Sequence, residues 1–130
     1  MSGLNPVVTA EEVFTVNEKV RWVALTSERG EVLLNQMRAG VESYSTPEFD
    51  REFVGLGPLT ILGVCERYSE YLKGVDCVVV WYRLVVSVYA RLGAQVLAVS
   101  IERDRQAVVS LLEWLEKKQK EITAKNAAPP

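Results

Sequence analysis

The chain contains no histidine. That absence removes the Ser-His-Asp and Cys-His catalytic arrangements and every histidine-ligated metal site. Cysteine is scarce, with only Cys65 and Cys77, and the two lack the close paired spacing of zinc ligands. Cys65 falls inside an apolar helical pattern, so both read as buried reduced thiols, as expected of a cytoplasmic protein. There is no basic cluster either. Lysine and arginine total 15 against 17 acidic residues, for a net charge of −2, and the signs are interspersed. A phosphate backbone normally needs clustered cations, so no nucleic-acid partner is expected. Long apolar runs are missing: the richest stretch, Cys77 to Leu92, is broken by Arg83 and Arg91 and falls short of the ~20 residues a bilayer requires. It reads as buried strand, with no membrane span. Met1 to Glu12 has no basic region followed by an apolar core, so no secretory signal is expected.

What remains is ordinary globular composition, 48% hydrophobic and 25% charged over 130 residues. One hydrophobic core is expected. Residues 1–9, with Gly3, Asn5 and Pro6, carry no sustained period and read as a flexible leader. Thr9 can cap a short helix with Glu11 and Glu12 in its first turn. From Lys19 to Arg38 the period changes to two. Val20, Trp22, Ala24 and Thr26 fall on one face of a strand and Arg21, Val23, Leu25 and Ser27 on the other, and Glu28-Arg29-Gly30 turns the chain into a hairpin partner.

A second helix begins near Pro47, capped by Ser45 or Thr46, with capping-box spacing between Ser45 and Glu48. Gly55, Gly57 and Pro58 interrupt its apolar stripe before Lys73-Gly74 stop it, which predicts one kinked helix or two in series. Three strands follow at about 76–82, 84–92 and 95–101, and Asp104 caps a last helix with Val108, Leu111, Leu112 and Leu115 on one stripe. Residues 121–130 read as a disordered tail, leaving one domain over 10–120. The predicted fold class is α/β: an α+β layered sandwich in the order helix-strand-strand-helix-strand-strand-strand-helix, its five strands in one antiparallel sheet covered by helices.

No residue set stands out as catalytic. Gly55-Leu56-Gly57 lacks the lysine and hydroxyl residue of a phosphate loop and reads as a helix break. Glu11 and Glu12, like Asp50 and Glu52, lie in first turns where capping explains them, and no shielded acid is singled out for proton transfer. No enzyme activity, cofactor or metal is therefore expected. Trp22, Trp81, Tyr82 and Tyr89 read as strand packing in preference to a ligand cage. Trp114 sits beside the last helix's stripe, either at the core rim or at an interface. The apolar strand Cys77 to Tyr82 is an aggregation hazard at a sheet edge unless it is paired, and a second subunit would pair it. Val78, Val80, Tyr82 and Trp114 are the candidate interface residues.

The element order, the hairpin from Lys19-Val20-Arg21-Trp22-Val23-Ala24-Leu25 through Gly30 to Val32-Leu33-Leu34, and Met37-Arg38-Ala39-Gly40 resemble archaeal roadblock/LC7-like proteins over about residues 10–118. The resemblance implies a profilin-like or longin-like sandwich. It also implies homodimerisation through a helix and an edge strand, and non-catalytic service as a scaffold or regulator, often of small GTPases. The Gly55-Leu56-Gly57-Pro58 segment and the short link between the third and fourth strands depart from the usual pattern. The expected function is a homodimeric interaction module with a small GTPase as candidate partner. The alternative is a small-ligand sensor, which requires a cavity between sheet and helix bordered by Trp22, Trp81 or Tyr89.

Overall fold

The Thr9 hydroxyl accepts the Glu12 backbone N–H at 3.1 Å while the Glu12 carboxylate accepts the Thr9 N–H. This reciprocal cap starts helix α1, Ala10–Phe14. The computed structural model describes residues 5–127. Strands β1 (Val20–Thr26) and β2 (Val32–Met37) form the expected hairpin, with Gly30 at φ 83° in its turn. Helices α2 (Pro47–Glu66) and α3 (Ser69–Leu72) follow, then strands β3 (Val78–Trp81), β4 (Val85–Leu92) and β5 (Gln95–Glu102), and helix α4 (Arg105–Ala127). The five strands make one sheet in the order β2-β1-β5-β4-β3, antiparallel throughout. The first and last parts of the chain thus meet at the sheet centre, where β1 pairs with β5.

Helices α1 and α4 cover one face, where Val13, Val108, Leu111 and Leu115 pack onto Val23, Leu25, Val88, Leu97 and Ile101. On the other face α2 lays Val54 and Leu62 against Ala24, Tyr89, Val96 and Ala98. The alternation expected for β1 fails at its start. A register shift sets Val20 opposite Ile101 and Trp22 opposite Ser100, so two residues of β1 span one step of β5. This bulge sends Val20 to the α4 face along with Val23 and Leu25, while Trp22 packs with Ala24 beneath α2. Arg38 fastens the irregular segment, donating to the carbonyls of Val20 at 2.6 Å, Phe14 at 2.8 Å and Asn17 at 2.9 Å.

Of the two forms expected around Gly55–Pro58, a single helix is the one observed. Helix α2 runs unbroken through Pro58, forgoing one hydrogen bond to the Val54 carbonyl, and the chain breaks later, between α2 and α3. Thr46, not Ser45, is its cap, accepting the Phe49 N–H at 3.1 Å. The glycines serve close approach instead: a Cβ on Gly55 would lie 3.0 Å from the Gly30 carbonyl oxygen, and one on Gly57 2.4 Å from the Phe53 ring. The end of the leader is docked, with Gln95 donating to the Asn5 carbonyl at 2.6 Å and accepting the Val7 N–H at 3.0 Å, and Val8 buried. The expected tail is helical as far as Ala127, since Ala124, Lys125 and Ala127 favour helix. Residues 1–4 of the leader and 128–130 of the tail lie outside the described residues.

Candidate functional site

The β1 bulge sets the side chains of one sheet row. Trp22 pairs with Ser100, Ser100 with Ser87, and Ser87 with Val80, so the row beneath the start of α2 has two serines at its centre. The next row carries Ala24, Ala98 and Tyr89. The two serines are too short to fill the space below the first turns of α2. A cavity of about 580 Å³ results, within the range of small-molecule sites. Its floor is Trp22, Ser87, Tyr89 and Ser100; Phe49, Asp50 and Phe53 of α2 overhang it with loop residues Ser43 to Ser45, and Tyr82 to Val85 close one end.

Several groups here are held in place by identifiable contacts. The Trp22 indole N–H donates to the Asn35 side-chain oxygen at 2.7 Å, and the Phe53 and Tyr89 rings meet at 6.1 Å with a 57° tilt. Burial pushes the Tyr89 phenol up to about 12, against the opposing effect of a hydrogen bond with Ser87. Arg21 is stacked 4.4 Å from the centroid of the Tyr44 ring and donates to the Glu42 carbonyl at 2.9 Å. Asp50, at the start of α2, accepts the Ser45 hydroxyl. The far end of α2 is pinned to the sheet by Arg91, which donates to both Glu66 carboxylate oxygens at 2.5 and 2.9 Å.

Of the residues weighed in the sequence, Trp22, Asp50, Tyr82 and Tyr89 line this cavity. Trp81 does not; it is half exposed, with the Arg103 guanidinium 6.0 Å from its ring centroid. Val78 and Val80 are half-buried on the α2 face, whereas Trp114 packs on the opposite face against the α1 and α4 core. The four candidate interface residues therefore do not share one patch. Arg21, Ser87, Ser100 and Phe53 were not singled out. The available signal was the run of small residues, Ser87, Ala98 and Ser100, alternating with large ones in otherwise apolar strands.

A second surface lies around α2. Of thirteen large hydrophobic side chains exposed among the described residues, ten lie between Tyr44 and Leu84, and α4 exposes only Val109. Phe49, Leu56, Val64 and Tyr68 run along the outer side of α2 and its end, and Tyr71 and Leu72 continue on α3. Strand β3 borders the sheet. Cys65 and Cys77 are free and half-buried, and burial pushes the Cys77 thiol up. Among the described residues no three acidic or cysteine side chains cluster to hold a metal, and no helix is long and apolar enough to cross a membrane.

No protein-family model matches the chain, and no curated protein matches it in sequence. Its fold does match solved structures. A roadblock/LC7 domain from Streptomyces avermitilis aligns with TM-score 0.63 at 14% identity, covering 93% of this chain and 100% of that one. The gliding protein MglB from Thermus thermophilus also aligns with TM-score 0.63 at 14% identity, covering 88% and 82%. MglB in a tetrameric arrangement aligns with TM-score 0.58 at 13% identity, covering 86% and 85%. The five-stranded sandwich is thus of the roadblock/LC7 type.

Proposed function

We propose that this roadblock-type domain is a non-catalytic protein-interaction module that pairs with a second copy of itself along α2 and the open edge of β3. The observation that carries the reading is the concentration of exposed apolar side chains on that one side. An apolar patch of this kind on a soluble surface marks a contact site, and an uncovered edge strand offers backbone groups for pairing. The tetrameric arrangement of MglB, a protein of the same fold, supports self-association. The paired module acts as a cytoplasmic scaffold or regulator, and the resemblance noted in the sequence makes a small GTPase its candidate partner.

Sedimentation of the full chain tests the pairing. A dimer is expected at micromolar concentration, and Leu56→Glu with Tyr68→Glu, two exposed positions on the stripe, should shift it to monomer without unfolding. A monomer at every concentration up to high micromolar refutes the reading. A small GTPase, loaded with GTP or GDP, is the probe for the second partner.

A further inference from the structure

We propose that the cavity beneath the start of α2 is a binding site for a small aromatic carboxylate. Three observations set the ligand's chemistry. The lining supplies ring surface from Trp22 and Tyr89 below and Phe53 above, which suits a flat aromatic body. The floor supplies the hydroxyls of Ser87 and Ser100, which fix orientation through hydrogen bonds. Two guanidiniums, Arg21 and Arg83, border the cavity against a single acid.

That acid does not cancel them. Asp50 is already bonded to Ser45 and sits in the first turn of α2, where the helix dipole favours its charge. Arg21 uses one of its five N–H donors on Glu42. Among the described residues Arg83 has no ion pair. A guanidinium binds a carboxylate through two parallel hydrogen bonds, so an acid at the mouth and rings within match the lining from end to end. The volume of about 580 Å³ accommodates a fused two-ring acid.

The small side chains on the floor also need a reason. The same strands fill the opposite face with Leu97, Val99 and Ile101, and valine at Ser87 or Ser100 would suit these strands as well. The serines instead keep an open, partly apolar groove beneath the start of α2, whose apolar surface a ligand would remove from water. The rim of the cavity shares Phe49, Tyr82 and Leu84 with the side proposed for self-pairing. The titration is therefore run at a concentration where sedimentation shows a single species, and Leu56→Glu with Tyr68→Glu, outside the lining, separates failure of pairing from failure of binding.

The test is a calorimetric titration of the full chain with 2-naphthoate and with its neutral analogue 2-naphthamide. The acid should bind with a Kd below about 1 mM and the amide roughly tenfold more weakly. Arg21→Gln should remove most of that preference, and Ser87→Leu, which fills the floor, should abolish binding of both. Thermal unfolding establishes whether Ser87→Leu folds; if it does not, Arg21→Gln, at a half-exposed position, decides the matter. No saturable binding, equal affinity for acid and amide, or unchanged affinity in the folded variants overturns the proposal. Tighter binding of a peptide ending in Trp or Phe also overturns it, by moving the site to a protein's C-terminus.

Discussion

On the face covered by α1 and α4, β5 presents Leu97, Val99 and Ile101, none more than 1% exposed; on the α2 face the same strand presents Val96, Ala98 and Ser100. Strand β4 repeats the contrast, with Val86, Val88, Ala90 and Leu92 toward α4 and Ser87 and Tyr89 toward α2. One face is filled by interlocking aliphatic side chains; the other is left open at one end of its covering helix and closed at the other by the Glu66–Arg91 ion pair. The tightest packing is on the first face, and the proposed binding surfaces are on the second. The backbone is common to both, so side-chain size alone separates the roles.

Truncation should expose the contrast most strongly. Leu111→Ala, on the inner side of α4 and 1% exposed, should cost about 2–5 kcal/mol in urea unfolding, whereas Ser100→Ala on the cavity floor should cost under about 0.5 kcal/mol. Equal losses would mean that the α2 face is packed as tightly as the other. Added bulk sharpens the comparison from the opposite direction. Ala90→Leu, on the filled face and fully buried, should lose about 1–3 kcal/mol through overpacking, while Ser100→Leu has space and should stay within about 1 kcal/mol. The difference in melting temperature between the two variants measures it.

The smallest effect concerns the edge of the filled face, where Lys19 donates to Asp104 at 2.7 Å and the Asp104 carboxylate accepts the Ala107 N–H at 2.9 Å. Hydrogen bonding to Lys19 holds the Asp104 carboxyl below the usual range, and the same bond raises Lys19. The carboxylate's contribution is therefore present above the ordinary aspartate value and lost as pH falls through the lowered one. The lysine's contribution is present below the ordinary lysine value and lost as pH rises through the raised one. Asp104→Asn should flatten the stability profile slightly at both ends, less so in high salt because the pair is open to water. An unchanged acid limb would show that the pair contributes nothing.

Much of this was legible in the sequence. Period-two and helical patterns placed the two early strands, the three later ones and the helices α1, α2 and α4, because each is long or well capped enough for local chemistry to decide. Thr9 and Asp104 announced helix starts through their capping side chains. What was hidden depends on contacts between distant segments. Val20 and Trp22 fit simple alternation, and only pairing with β5 shows the extra residue. Gly55, Gly57 and Pro58 resemble a helix break until the Gly30 turn is seen pressing against Gly55. The leader looked loose because its partner, Gln95, is 90 positions away from Asn5. The cavity was the least visible, since a volume between a helix and a sheet is a property of their separation and leaves only a faint trace in the small residues below it.

The irregular step between Val20 and Trp22 also decides where this strand tolerates a change in length. Val20, Val23 and Leu25 face α4 while Trp22 and Ala24 face α2, and Arg21 is the one residue outside that alternation. Deleting Arg21 would leave a regular strand with Val20 and Trp22 each on its present face. Losing or gaining a residue between Trp22 and Thr26 would instead turn every side chain on one side of the change to the opposite face. Substitutions at Arg21 are therefore a matter of chemistry, and insertions further along the strand a matter of parity.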